Sequence, residues 1–184
     1  MFLLIVTSGL RKGQALGLRC QDCDLAKGTV AVRRPVVTLD GKVAIETPKS
    51  AARRTVKLPP VTVLSHREHR TRQLEHHLAV ADVWTDRDLA FASELGGPNH
   101  PSNVNRALPR LIAKAGVPYL TVHDLRHTHV TWLLAHGQPI KSVSDRLGHA
   151  KTSITLDTWA HLIQGMQDGA VEMVRDLLFR RETG

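Results

Sequence analysis

The chain has 184 residues, 42% of them hydrophobic and 23% charged, which is enough apolar material for one sizeable core and too little bias for a disordered protein. Its longest apolar run, Met1 to Val6, is far short of a bilayer span and lacks the basic leader and cleavage pattern of a secretory signal, so a cytoplasmic protein with no membrane role is expected. Two cysteines exclude a disulfide framework. The net charge of +8 is unevenly spread: residues 1–60 carry 11 Lys/Arg against 4 Asp/Glu, residues 61–184 carry 14 against 13. Such a local excess suits a surface held against phosphates, and equally a solvated basic face.

In chain order, MFLLIVTSGLRKGQALGL reads as a buried helix ending at Ser8-Gly9, an Arg-bearing turn, and a second short helix from about Lys12. TVAVRRPVV, KVAIE and RTVKL read as three β-rich runs, with Asp40-Gly41 as a hairpin signal between the first two. A polar, His-rich helix is expected over roughly Val61 to Val80, and another over Ser102 to Ala115, ending at Gly116 and open to a kink at Pro109. Thr121 is a good N-cap for TVHDLRHTHVTWLLAHG, which Gly137 terminates. A shorter helix over Ile140 to Leu147 stops at Gly148-His149, and an amphipathic helix is expected over roughly Met166 to Phe179. The fold class expected is α+β, mostly helical, with a small three-stranded antiparallel sheet, in one domain spanning residues 1–184.

His123 and Arg126 lie at i and i+3 near a helix N-terminus, so both project from one face where an anion is favoured. Arg offers a planar fork to phosphate, and His exchanges protons near neutral pH. A single His-x-x-Arg is a weak signal. It sharpens when four segments are read in order: SGLRKGQALGL with Arg11, TPKSAARRTVKLP with Lys49, VHDLRHTH with His123 and Arg126, and DRLGHAKTSITLDTWAHL with His149. In this order, and over nearly its whole length, the chain closely resembles the catalytic domain of the tyrosine recombinases, the bacteriophage integrase family.

The resemblance implies cofactor-free strand exchange on double-stranded DNA, in which a tyrosine attacks a backbone phosphate to form a 3′-phosphotyrosyl link and release a 5′-hydroxyl. Arg11, Arg126 and His149 match the groups that stabilise negative charge on the phosphorane oxygens. Lys49, between the second and third β-runs, matches the general acid, and His123 the position that assists proton transfer at the nucleophile. The Arg33, Arg34, Arg53, Arg54 and Lys57 neighbourhood is the expected DNA-binding surface, because most of the net charge lies there. Family members assemble on DNA as oligomers, so the C-terminal helix is a candidate for docking in a second copy.

Three departures stand out. Where the family carries its nucleophilic tyrosine, this chain has Trp159, flanked by the matching Thr155, His161 and Leu162. An indole N–H has no ionisable oxygen and cannot attack phosphorus, so DNA binding without cleavage is expected. Gln14 stands where an acidic residue is common, and the separate DNA-clamping domain that precedes the family's catalytic domain is expected to be missing. The one tyrosine, Tyr119, is read as packing before the His123 helix. Cys20 and Cys23 form a C-x-x-C with no second pair, and the long gap to His66 and His69 lacks zinc-finger spacing, so no metal is expected. His127, His129 and His136 are read as core or helix-surface residues, and His76 and His77 as a solvated face. The alternatives are a non-catalytic DNA-binding accessory protein and a prophage remnant whose C-terminal helix mediates protein association.

Overall fold

The computed structural model describes residues 1–46 and 54–160, and the chain divides into two compact units, Met1–His129 and Val130–Gly184. The first opens with α1 (Phe2–Ser8), whose first five residues are all apolar because it serves two cores. Leu4 packs with Leu10, Leu18, Val30, Val56 and Phe91, whereas Ile5 packs with Leu16, Val36, Val104, Leu108 and Val122. Gly9 ends α1 in the left-handed conformation at φ 69°, which a side chain would disfavour. Two residues later the chain enters α2 (Lys12–Leu16). A β-carbon at Gly17 would collide with the Arg34 carbonyl oxygen, and one at Gly13 with that of Val36. Glycine at both positions lets α2 lie against the following strands backbone to backbone.

After a 3-10 turn at Cys20–Asp22 come β1 (Cys23–Asp24), β2 (Thr29–Val32), β3 (Val36–Leu39), β4 (Lys42–Ile45) and β5 (Arg54–Lys57). They form two sheets, a three-stranded antiparallel one of order β1-β2-β5 and a separate β3-β4 hairpin. The run TVAVRRPVV is therefore two strands in different sheets. Arg33 and Arg34 between them are drawn onto Asp22, at 3.0 Å and 3.8 Å, and Pro35 lacks the amide that a continuous strand would need. The Asp40-Gly41 hairpin stands as expected, with φ of 48° and 74° at its two turn residues and Leu39 paired to Lys42. Val30 and Val56 face each other across β2 and β5 and point into the core.

α3 (Pro60–Ala79) buries only Thr62 and His66 and is held largely by polar side chains. Thr62 Oγ1 lies 2.9 Å from Thr7 Oγ1, and Gln73 donates to the Leu89 carbonyl at 2.8 Å while accepting from the Ala92 amide at 3.0 Å. His66 and His69 pack on the Phe91 ring at 5.3 Å and 4.9 Å. His76 is exposed, as expected, with its ring edge-on to the Trp84 indole, whereas His77 is half-buried and stacks on that indole at 4.7 Å. Burial, and then His69, pull the pKa of His66 down from 6.5 to about 4. The unfolded imidazole takes up its proton first, so the stability from neutral His66 is complete above pH 6.5 and lost as the pH falls toward 4. Urea unfolding should show a loss of up to about 3 kcal/mol across that window, reduced in His66→Gln.

α4 (Pro101–Ala115) opens on a His100 cap and closes at Gly116, φ 64°, and it buries Val104, Leu108 and Ile112 along one face. α5 (Val122–Ala135) starts with a reciprocal cap: Asp124 N–H donates to Thr121 Oγ1 at 3.2 Å and Thr121 N–H to the Asp124 carboxylate at 2.7 Å. In the second unit α5 runs to its glycine stop, Gly137 at φ 72°, followed by α6 (Ile140–Leu147), Gly148 at φ 66°, and helical residues 152–160. Its core is Val130, Leu134, Val143, Leu147 and Trp159. The helix expected over Met166 to Phe179 lies outside the described residues. Among the described residues, no helix is long and apolar enough to cross a membrane.

Candidate functional site

Arg126 is the centre of the candidate site. It sits in the second turn of α5, is only 4% exposed, and donates from Nη1 to the carbonyl of Gly9, the residue whose left-handed turn ends α1. Burial first, then the charges of Arg11 and Arg54, lower its pKa to about 9, which leaves the guanidinium cationic at neutral pH. Arg11 is the N-cap of α2, held by Leu10 on one side, which is fully buried, and by a 3.0 Å hydrogen bond from its own amide to Gln14 Oε1 on the other. The same Gln14 oxygen accepts from Arg54 Nη2 at 3.1 Å. A neutral amide thus gathers two of the three arginines that would repel one another.

His123 lies one turn before Arg126 and is exposed, with its ring edge-on to His127 at 4.5 Å. Partial burial, then His127 and Arg126, lower its pKa, so it favours the neutral ring that can accept a proton. Arg11, His123 and Arg126 line one cavity of about 370 Å³, together with Lys12 and Tyr119. No carboxylate lines it among the described residues. Arg11, Lys12 and Arg126 on the lining of one cavity make it a site that favours an anion.

In the second unit His149 follows the Gly148 turn, its amide bonded to the Ser144 carbonyl at 3.1 Å and its Nδ1 2.9 Å from Thr155 Oγ1. Thr155 is fully buried. Trp159, 5% exposed, packs in the core and lies roughly parallel to the His149 ring at 6.4 Å. It is a core residue of its unit and presents no oxygen there.

Three of the five expected site residues, Arg11, His123 and Arg126, therefore meet at one cavity; His149 is placed within the second unit, and Lys49 lies outside the described residues. Of the expected basic surface, Arg53 is also outside them. Arg33 and Arg34 are engaged by the buried Asp22, Arg54 turns toward Gln14 and Arg126, and Lys57 is exposed on β5. Arg54, expected on that surface, is half-buried and bonded to Gln14 beside the arginine cluster. Tyr119, expected to pack, is 76% exposed at the cavity, because Pro118 and the Thr121 cap leave it on a short loop outside both helices. His129 is buried and bonded to the Val6 carbonyl at 3.0 Å, as a core histidine. Burial raises the thiol pKa of Cys20 and, to about 12, that of Cys23, which keeps both protonated and unreactive.

Comparison with known proteins places the chain. The profile of the phage integrase family matches residues 1–165, and the chain belongs to that family. It is 35% identical over 190 residues to a tyrosine recombinase XerC-like protein of Caldanaerobacter subterraneus, covering 96% of this chain and 49% of that relative. It is 25% identical to the ICEBs1 integrase of Bacillus subtilis, covering 93% of this chain and 46% of the relative. The chain spans about half the length of these curated relatives. Among solved structures, the Tn1549 transposon integrase matches with a TM-score of 0.78 at 20% identity, over 95% of this chain and 57% of that one. The XerA recombinase matches with 0.67 at 26% identity, over 83% and 49%. The mostly helical α+β fold is that of the tyrosine recombinase catalytic domain.

Proposed function

We propose that the chain is the catalytic-domain part of a site-specific DNA recombinase, spanning residues 1–184, and that it holds duplex DNA by a backbone phosphate without cleaving it. The observation that carries this is the cavity of Arg11, His123 and Arg126, cationic and free of carboxylates among the described residues. Family membership supplies the ligand class, since the Tn1549 transposon integrase has been solved with transposon right end DNA.

In this reading Arg11 and Arg126 grip the non-bridging oxygens of the phosphate, and His149 is the further donor that the family pattern assigns. By the family pattern Lys49 is the residue assigned to protonate a leaving 5′-oxygen, and His123 the one that handles the proton of an attacking hydroxyl. The attacking hydroxyl is what the chain lacks, because Trp159 stands at the nucleophile's position and its nitrogen lone pair belongs to the indole π-system. The DNA-binding surface adds Arg33, Arg34, Arg53, Arg54 and Lys57, although the Asp22 pairing of Arg33 and Arg34 reduces what those two contribute. Oligomers on DNA form through the C-terminal segment.

Duplex binding should be weak, largely independent of sequence, and steeply salt-dependent. Each phosphate contact lowers log affinity by about 0.9 per log unit of salt, so three to five contacts give a slope of roughly −3 to −5. Fluorescence anisotropy across a salt series measures it, and no binding at low salt would remove the DNA role.

A further inference from the structure

We propose that the cavity beside Arg11, His123 and Arg126 accepts a single unstacked nucleotide, its phosphate on the arginines and its base on the Tyr119 ring. This rests on the phosphate-binding reading above and extends it to what lies next to the phosphate. The cavity, about 370 Å³, reaches the size range of small-molecule sites, which starts near 300 Å³. An inorganic phosphate would leave most of it empty.

The lining is divided in chemistry as a nucleotide is. Arg11, Lys12 and Arg126 supply positive charge, whereas Leu108, Pro109 and Leu120 supply apolar wall. Lys12 is itself steadied by a 2.9 Å bond from Nζ to Asn105 Oδ1, which ties the cationic wall to α4. Tyr119 is 76% exposed while lining the same cavity. A large aromatic face left in water at the edge of a cationic site is the arrangement that binds unpaired bases, since every base offers a π-face and sequence matters little. The loop is also held in place: Pro118 restricts the backbone immediately before Tyr119, and the Thr121–Asp124 cap fixes the chain two residues after it. Stacking requires the ring and not the hydroxyl. The site accommodates a nucleoside monophosphate unit, whether a free nucleotide or an unpaired nucleotide in a DNA strand.

The test is calorimetric titration of the full chain with inorganic phosphate, thymidine and thymidine 5′-monophosphate. The nucleotide should bind about tenfold tighter than phosphate, in line with stacking on one aromatic ring. Tyr119→Ala should erase that advantage while leaving phosphate affinity intact, and Tyr119→Phe should keep it. Equal affinity for nucleotide and phosphate, or an advantage that survives Tyr119→Ala, overturns the proposal. If neither phosphate nor the nucleotide binds, the phosphate site itself fails and both readings fall. A nicked duplex carrying one unpaired thymidine, set against a fully paired nicked duplex, identifies the source. Preference for the unpaired form marks the DNA strand, and equal binding alongside a tight free nucleotide marks the nucleotide pool.

Discussion

Trp159→Tyr is expected to form a covalent adduct with a nicked suicide substrate, seen as a shifted band on a denaturing gel, where the unmodified chain forms none. The difference is all or none because a phenol can form the phosphotyrosyl bond and an indole cannot. Trp159→Phe is the control, removing the indole N–H without supplying an oxygen, and should also give no adduct. Restoration is expected to be partial, because misplacement of DNA alone costs a large factor in rate. The substitution also trims a buried side chain from the core of Val130, Leu134, Val143 and Leu147, so a stability loss of about 1–3 kcal/mol should accompany it. An adduct with the unmodified chain would overturn the non-cleaving reading, and no adduct with a folded, DNA-binding Trp159→Tyr would show that more than this position has been lost.

Arg126→Ala should weaken duplex binding by roughly tenfold or more, since a hydrogen bond to a charged group contributes about 1.5–3 kcal/mol. It should also lower folding stability by about 1–3 kcal/mol, because the Gly9 carbonyl loses the donor that the buried guanidinium provides. Arg11→Ala separates the two effects. Arg11 is exposed, so the same loss of affinity is expected with little change in a urea melt. If Arg11→Ala and Arg126→Ala both left anisotropy titrations unchanged, the cavity would not be where phosphate binds.

Much of the fold was legible because its stop signals are local. Gly9, Gly116, Gly137 and Gly148 all take the left-handed conformation at the ends of the helices they were expected to close. The Thr121 cap and the Asp40-Gly41 turn likewise depend on residues within three or four positions. Arg11, His123 and Arg126 were legible for a different reason. Their flanking patterns match those of the family, and a shared fold carries matching segments to matching places.

What the sequence by itself determined, then, is where α1, α4, α5 and α6 stop, which residue types can hold a phosphate, and that position 159 carries no hydroxyl. Only the tertiary structure decided which strands pair, since β2 finds its partner in β5 across an intervening hairpin and Arg33 and Arg34 leave the strand for Asp22. It decided that Gln14 gathers Arg11 and Arg54, partners 40 positions apart along the chain for the second bond. It also decided that Tyr119 faces solvent at the cavity rather than packing. Caps and turns are set by dihedral preferences and hydrogen bonds within a single turn of chain. Strand pairing, ion-pair choice and exposure depend on groups brought together from distant segments, whose closeness no local pattern encodes.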